Sequence, residues 1–171
     1  MKKLEDLILT YKDFPKKGIE FKDVFEILQY PDIFQELILK MSSNQFLKNA
    51  DAIISIDARG FIFGVPMAMA MQLPFVPIRK AGKLPYQTTA FSYELEYGKD
   101  TLEMHVDSIQ SGDKVLLVDD LLATGGTIAA CGRLVEQQGG VIAGYSFLIE
   151  LAFLSGREKL DQRPIERLLT Y

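Results

Sequence analysis

Residues 115–127 read VLLVDDLLATGGT. The apolar run Val115–Val118 ends in Asp119 and Asp120. A short loop, Leu121 to Thr124, then leads through Gly125 and Gly126 into a helix pattern. A short apolar run bounded by turn formers reads as a strand buried on both faces. Glycines let backbone N–H groups crowd round an anion, and a helix N-terminus adds a partial positive charge. Thr124 and Thr127 offer hydroxyl donors. The loop Ala123, Thr124, Gly125, Gly126 and Thr127 is therefore predicted to cradle a phosphate. Asp119 and Asp120 are acceptors suited to the vicinal hydroxyls of a ribose. The plainer alternative is a helix start with glycines beside strand-end acids, which is common in α/β folds. No GK[ST] follows, so this is not a Walker loop, and it does not match G-x-G-x-x-G.

The flanking sequence repeats the pattern. DAIISI (51–56) reads as a buried strand, and RGFIFGVPMAMAM (59–71) as a helix with Pro66 as an irregularity. LPFVPI (73–78) reads as a second strand and KVLLVDD (114–120) as a third. GGTIAACGRLVEQQG (125–139) is a helix that Gly139 can close, and VIAGYSFLIEL (141–151) is a fourth strand. FSYELEY (91–97) and TLEMHV (101–106) flank Gly98, Lys99 and Asp100 as a β-hairpin. Strands alternating with helices predict an open, mostly parallel α/β sheet with helices on both faces. Ligands of such sheets sit beyond the carboxyl ends of the strands. Nearer the start, Leu4, Leu7, Ile8 and Tyr11 have helical spacing and predict a short amphipathic helix over residues 2–11. DFPKKGIEFKDV (13–24) is rich in turn formers. Pro31 then opens a helix with Ile33, Phe34, Leu37, Ile38 and Met41 on its apolar face.

The chain has 171 residues, the size of one domain, and its 48% hydrophobic and 25% charged residues suit a globular protein. No apolar run is long enough to cross a bilayer, and Glu5 and Asp6 stand where a signal peptide has its apolar core, which predicts a cytoplasmic protein. A single cysteine, Cys131, allows no internal disulfide. The net charge of -4 argues against general nucleic-acid binding, although a local cluster of bases could still hold a small polyanion.

Such a cluster is present in the sequence. Arg59 lies in the loop after the first core strand, where its guanidinium fork and the loop N–H groups suit a pyrophosphate. Arg79, Lys80 and Lys83 lie just past the second strand; a solvated basic turn is the alternative for at least one of them.

Residues 115–127 resemble the phosphoribosyl-pyrophosphate signature of the type I phosphoribosyltransferases. FPKKGIEFKDV (14–24), ARGFIFG (58–64), PIRKAGKLP (77–85), YELEYGKDTLEMH (93–105) and ELAFLSGREKL (150–160) resemble the adenine phosphoribosyltransferases, and together these segments span nearly the whole chain. The resemblance implies transfer of the 5-phosphoribosyl group from phosphoribosyl pyrophosphate to adenine, giving AMP and pyrophosphate. It also implies Mg²⁺ held mainly by substrate and water, and a homodimer. It assigns Asp57, Ala58, Arg59, Arg79 and Lys83 to the pyrophosphate, with a non-proline cis peptide at Asp57–Ala58. The hairpin becomes a lid whose functional residues are Glu96 and Tyr97. Whether Glu96 shares a proton with the base or is an ordinary hairpin residue stays open. Residues 1–35 become a hood over the base site. There Phe21 would stack on the purine, backbone groups around Glu20 and Lys22 would read its edge, and Leu151 would pack on the other face. Plain core packing is the alternative for Phe21. The chain departs from the commoner family pattern at Lys17, Glu20 and Asp57.

Two rivals follow. Enzymes of the family that act on 6-oxopurines typically place a lysine after the strand following the signature helix, and VIAGYSFLIEL has none. Regulators of this fold need a basic nucleic-acid face or an added domain. His105, the only histidine, reads as structural, and Cys131 as packing.

Overall fold

The computed structural model describes residues 2–43, 49–94 and 98–171. The chain divides into a unit that ends at Lys40 and a second from Met41 to Tyr171. In the first, β1 (Leu9–Lys12) pairs antiparallel with β2 (Glu20–Asp23), and α1 (Pro31–Ser42) follows. The helix expected over residues 2–11 does not form. Leu4–Leu7 make a single 3₁₀ turn, capped where Asp6 accepts from the Lys3 backbone N–H at 3.1 Å, and Leu9–Lys12 are extended. A helix of that length is marginal in water, whereas pairing with β2 satisfies the same backbone groups. Helix α1 matches its apolar pattern, with Leu37, Ile38 and Met41 buried.

The second unit holds a seven-stranded sheet. Its strands are β3 (Ala52–Ile56), β4 (Phe75–Lys80), β5 (Thr88–Glu94), β6 (Lys99–His105), β7 (Lys114–Leu122), β8 (Val141–Glu150) and β9 (Ile165–Thr170), in the order β5-β6-β4-β3-β7-β8-β9. Strands β4, β3, β7, β8 and β9 are parallel; β5 and β6 form an antiparallel hairpin on one edge. Two α-helices flank this sheet among the described residues, α2 (Arg59–Met71) and α3 (Gly126–Gln137).

Alternation along the strands sets the layers. Ile54 and Ile56 of β3 and Val115 and Leu117 of β7 form one core with Ile128, Cys131, Leu134 and Val135 of α3. The residues between them face α2. That approach is close: a Cβ on Gly64 would meet the Ser55 Oγ at 1.9 Å, so only glycine lets α2 lie this near β3. Helices therefore cover both faces, as the sequence pattern predicts.

Two differences bear on the site. Strand β7 runs two residues past the acid pair, because Leu121 and Leu122 still pair with Ile149 and Glu150 of β8. The hairpin is also anchored. It keeps register from Thr88↔His105 to Glu94↔Lys99, joins the sheet through β4, and packs Phe91 and Tyr93 against the core.

Candidate active site

A cavity of about 280 Å³ opens beyond the carboxyl ends of the central strands. It is lined by residues 56–59, from the last residue of β3 to the first of α2, and 119–128, from the end of β7 into α3. The neighbouring parallel strands β3 and β7 bring the two predicted loops to one place.

The second loop is built as a helix entrance. Gly125 is the N-cap of α3, with φ +75° and ψ -6°, a left-handed conformation that glycine adopts without steric cost. The helix begins at Gly126 and holds twelve residues. Its first N–H groups have no partner within the helix and point out of its end, with the positive end of the macrodipole behind them. Such an end receives an anion. The Tyr93 hydroxyl of β5 donates to Thr127 Oγ1 at 3.3 Å, which ties the hairpin to this turn.

The first loop supplies charge. Asp57–Ala58 is a cis peptide, as the resemblance implies, and Arg59 begins α2. The Arg59 Nε donates to Asp120 Oδ2 at 2.5 Å, and its Nη2 forms an ion pair with the same oxygen. Asp120 is buried, at 4% exposure, so this cation is its compensation inside the protein. Asp119 is half-buried, and its Oδ1 accepts from the Asp120 backbone N–H at 2.9 Å. Burial, and secondly the neighbouring Asp120 carboxylate, push the Asp119 carboxyl well above its ordinary range.

Arg79 and Lys83 are gathered at the same loop through Asp57. The Arg79 Nε and Nη2 lie 3.0 and 2.9 Å from Asp57 Oδ2, and the Lys83 Nζ lies 3.3 Å from it. Arg79 Nη1 also donates to the Lys83 carbonyl at 3.0 Å. Burial pushes the Asp57 carboxyl up, but the hydrogen bonds from Arg79 and Lys83 outweigh it and hold the group below the usual carboxylate range. Neither basic residue lines the cavity itself. Lys80, the last residue of β4, is engaged elsewhere, 2.9 Å from Asp100.

The residues predicted for the base are apportioned differently. Glu20, Phe21 and Lys22 form β2 of the N-terminal unit, where the Phe21 ring meets Phe14 edge-on at 5.2 Å and the Lys22 Nζ donates to Thr10 Oγ1 at 2.9 Å. Leu151 follows β8 in the larger unit and is buried. Glu96 and Tyr97 lie outside the described residues.

One residue escaped the sequence reading. A Cβ on Gly60 would meet Asp119 Oδ1 at 2.9 Å, so a glycine is what lets α2 begin against the acid pair. Its signal was available: Gly60 and Gly64 are four apart within a helix pattern, and so share the face that approaches the sheet.

Comparison with known proteins agrees with this geometry. The phosphoribosyl transferase domain family matches residues 23–161. The adenine phosphoribosyltransferase of Prochlorococcus marinus (strain AS9601) is 59% identical over 170 residues, covering 99% of either chain. The crystal structure of the adenine phosphoribosyltransferase from Thermoanaerobacter pseudethanolicus superposes with a TM-score of 0.91 at 46% identity, covering 98% of each chain. That of the Saccharomyces cerevisiae enzyme, complexed with an imino-altritol bisphosphate and adenine, gives 0.86 at 40% identity, covering 96% of this chain and 95% of that one. The chain belongs to the adenine phosphoribosyltransferase family.

Proposed function

We propose that the protein transfers the 5-phosphoribosyl group of phosphoribosyl pyrophosphate to adenine, forming AMP and pyrophosphate in purine salvage. The observation that carries the reading is the single cavity in which the Gly125–Gly126 helix entrance, the Asp119–Asp120 pair and Arg59 meet. These supply what a phosphate, a ribose and a pyrophosphate each need.

The reaction is a displacement at the anomeric carbon. As pyrophosphate leaves, the sugar gains oxocarbenium character, and a nitrogen of the base must be held in line with water excluded. In this assignment the 5-phosphate takes the N–H groups of residues 123–127. Asp119 and Asp120 accept from the ribose hydroxyls. Hydroxyl donors at Asp119 favour its ionised form and oppose the effect of burial. Arg59, with Arg79 and Lys83 around Asp57, neutralises charge on the leaving group. Phe21 and Leu151 would contact the adenine rings, with the backbone of Glu20 and Lys22 reading the polar edge. Glu96, with Tyr97, would hold or supply the proton that moves at the base nitrogen.

The cavity offers carboxylate oxygens, the hard donors Mg²⁺ prefers. Among the described residues no group of three potential ligands is gathered to cage a metal. An ion here would be held mainly by the oxygens of the substrate and by water, with Asp119 and Asp120 as the carboxylates at hand. When bound, the ion would offset the charge of the pyrophosphate. A homodimer, implied by the family resemblance, and a cytoplasmic setting, expected from the sequence, complete the proposal; no helix among the described residues is long and apolar enough to cross a membrane. The test is formation of AMP from adenine and phosphoribosyl pyrophosphate, compared with hypoxanthine, guanine and xanthine.

A further inference from the structure

The phosphate loop rests on a second loop. A Cβ on Gly125 would lie 2.3 Å from the Gly156 carbonyl oxygen, and a Cβ on Gly156 would lie 2.2 Å from the Ala123 carbonyl oxygen. Two glycine backbones thus meet face to face, with no room for a methyl group on either. At Gly125 the positive φ also calls for glycine. At Gly156 the backbone lies outside that region, so the contact alone demands the missing side chain.

The second loop is itself clamped. Arg157 donates to the Glu150 carboxylate through Nε and, at 2.8 Å, through Nη2. The Arg167 Nε lies 3.2 Å from the same carboxylate. Glu150 is 5% exposed, so two guanidinium groups compensate one buried charge at the end of β8. The backbone joins in. The Tyr171 N–H donates to the Glu150 carbonyl, and the Leu151 N–H to the Leu122 carbonyl, each at 2.9 Å. The ends of β7 and β8 and the residue after β9 therefore fix the place from which Gly156 meets Ala123 and Gly125.

We propose that Gly156 is a positioning residue for the 5-phosphate: it sets the backbone of Ala123–Gly125, and Glu150 with Arg157 and Arg167 holds it there. The inference depends on the proposed function, in which residues 123–127 receive that phosphate. A methyl group at position 156 must displace the Ala123 carbonyl, and with it the N–H groups aimed at the ligand. Such groups bind only in place, and losing one hydrogen bond to a charged group costs roughly tenfold or more in affinity.

Ribose 5-phosphate is the suitable probe, because it carries the phosphate and the sugar but no base. Its affinity for the full chain is measured by calorimetric titration, with melting temperatures in parallel. Gly156→Ala is expected to weaken binding by roughly tenfold or more. Arg157→Met should weaken it less, and Arg157→Lys, which keeps the charge but not the fork, should recover part of that loss. A role in stability alone would lower the melting temperature and leave the affinity unchanged. Folded Gly156→Ala protein that binds ribose 5-phosphate like the wild type would overturn the inference. Should Gly156→Ala not fold, Arg157→Met decides on the same criterion. Wild-type protein that fails to bind ribose 5-phosphate would overturn the cradle assignment itself, which keeps the two failures distinct.

Discussion

Arg59 and Asp120 are joined by an ion pair across the site, from the first residue of α2 to the carboxyl end of β7. The pair places a guanidinium beside the ribose acceptors and keeps a buried carboxylate compensated. Arg59→Ala should therefore do two things. It should raise KM for phosphoribosyl pyrophosphate by roughly 10–100-fold, since a hydrogen bond to a charged group is worth about 1.5–3 kcal/mol. It should also lower the melting temperature, because Asp120 loses its partner while still buried. Steady-state kinetics and thermal melts read the two effects separately.

Asp119 is expected to show the opposite sign in stability. Its carboxyl is raised by burial and by Asp120, so the folded state without substrate disfavours the ionised form. Stability from such a group is greatest below the unfolded value and declines as pH rises towards the folded one. Asp119→Asn should melt at the same temperature as wild type or higher at neutral pH, with the difference shrinking near about pH 4. The same variant should bind phosphoribosyl pyrophosphate more weakly, having lost an ionic acceptor for a ribose hydroxyl. A lower melting temperature at neutral pH would contradict the electrostatics described for this pair.

Glu96 tests the chemistry at the base. Glu96→Gln should lower kcat by about 10²–10⁴-fold, the usual worth of general acid–base assistance, with phosphoribosyl pyrophosphate still bound. Near-normal kcat would make Glu96 an ordinary hairpin residue. Kinetics and direct binding on the same preparation separate the two outcomes.

Much of this was legible in the sequence, and the exceptions have physical causes. Buried parallel strands announce themselves as apolar runs, which is why β3, β4, β7 and β8 were found. The β9 strand was not, because as an edge strand it is only half-buried and carries Glu166 and Arg167 in its middle. The N-terminal segment misled because Leu4, Leu7, Ile8 and Tyr11 keep helical spacing although Leu9–Lys12 pair with β2. At the site, loop positions followed from strand ends, but side-chain partnerships did not. Nothing in the spacing says that Asp57 gathers Arg79 and Lys83, or that Arg59 turns to Asp120. Those choices depend on which strands lie side by side.

Base preference is read by an assay of purified protein with phosphoribosyl pyrophosphate, Mg²⁺ and one purine at a time, following nucleotide and pyrophosphate together. The site described here predicts AMP and pyrophosphate in equal amounts from adenine, with hypoxanthine, guanine and xanthine turned over far more slowly. Preferred turnover of a 6-oxopurine, or binding of phosphoribosyl pyrophosphate with no nucleotide formed from any base, would contradict it.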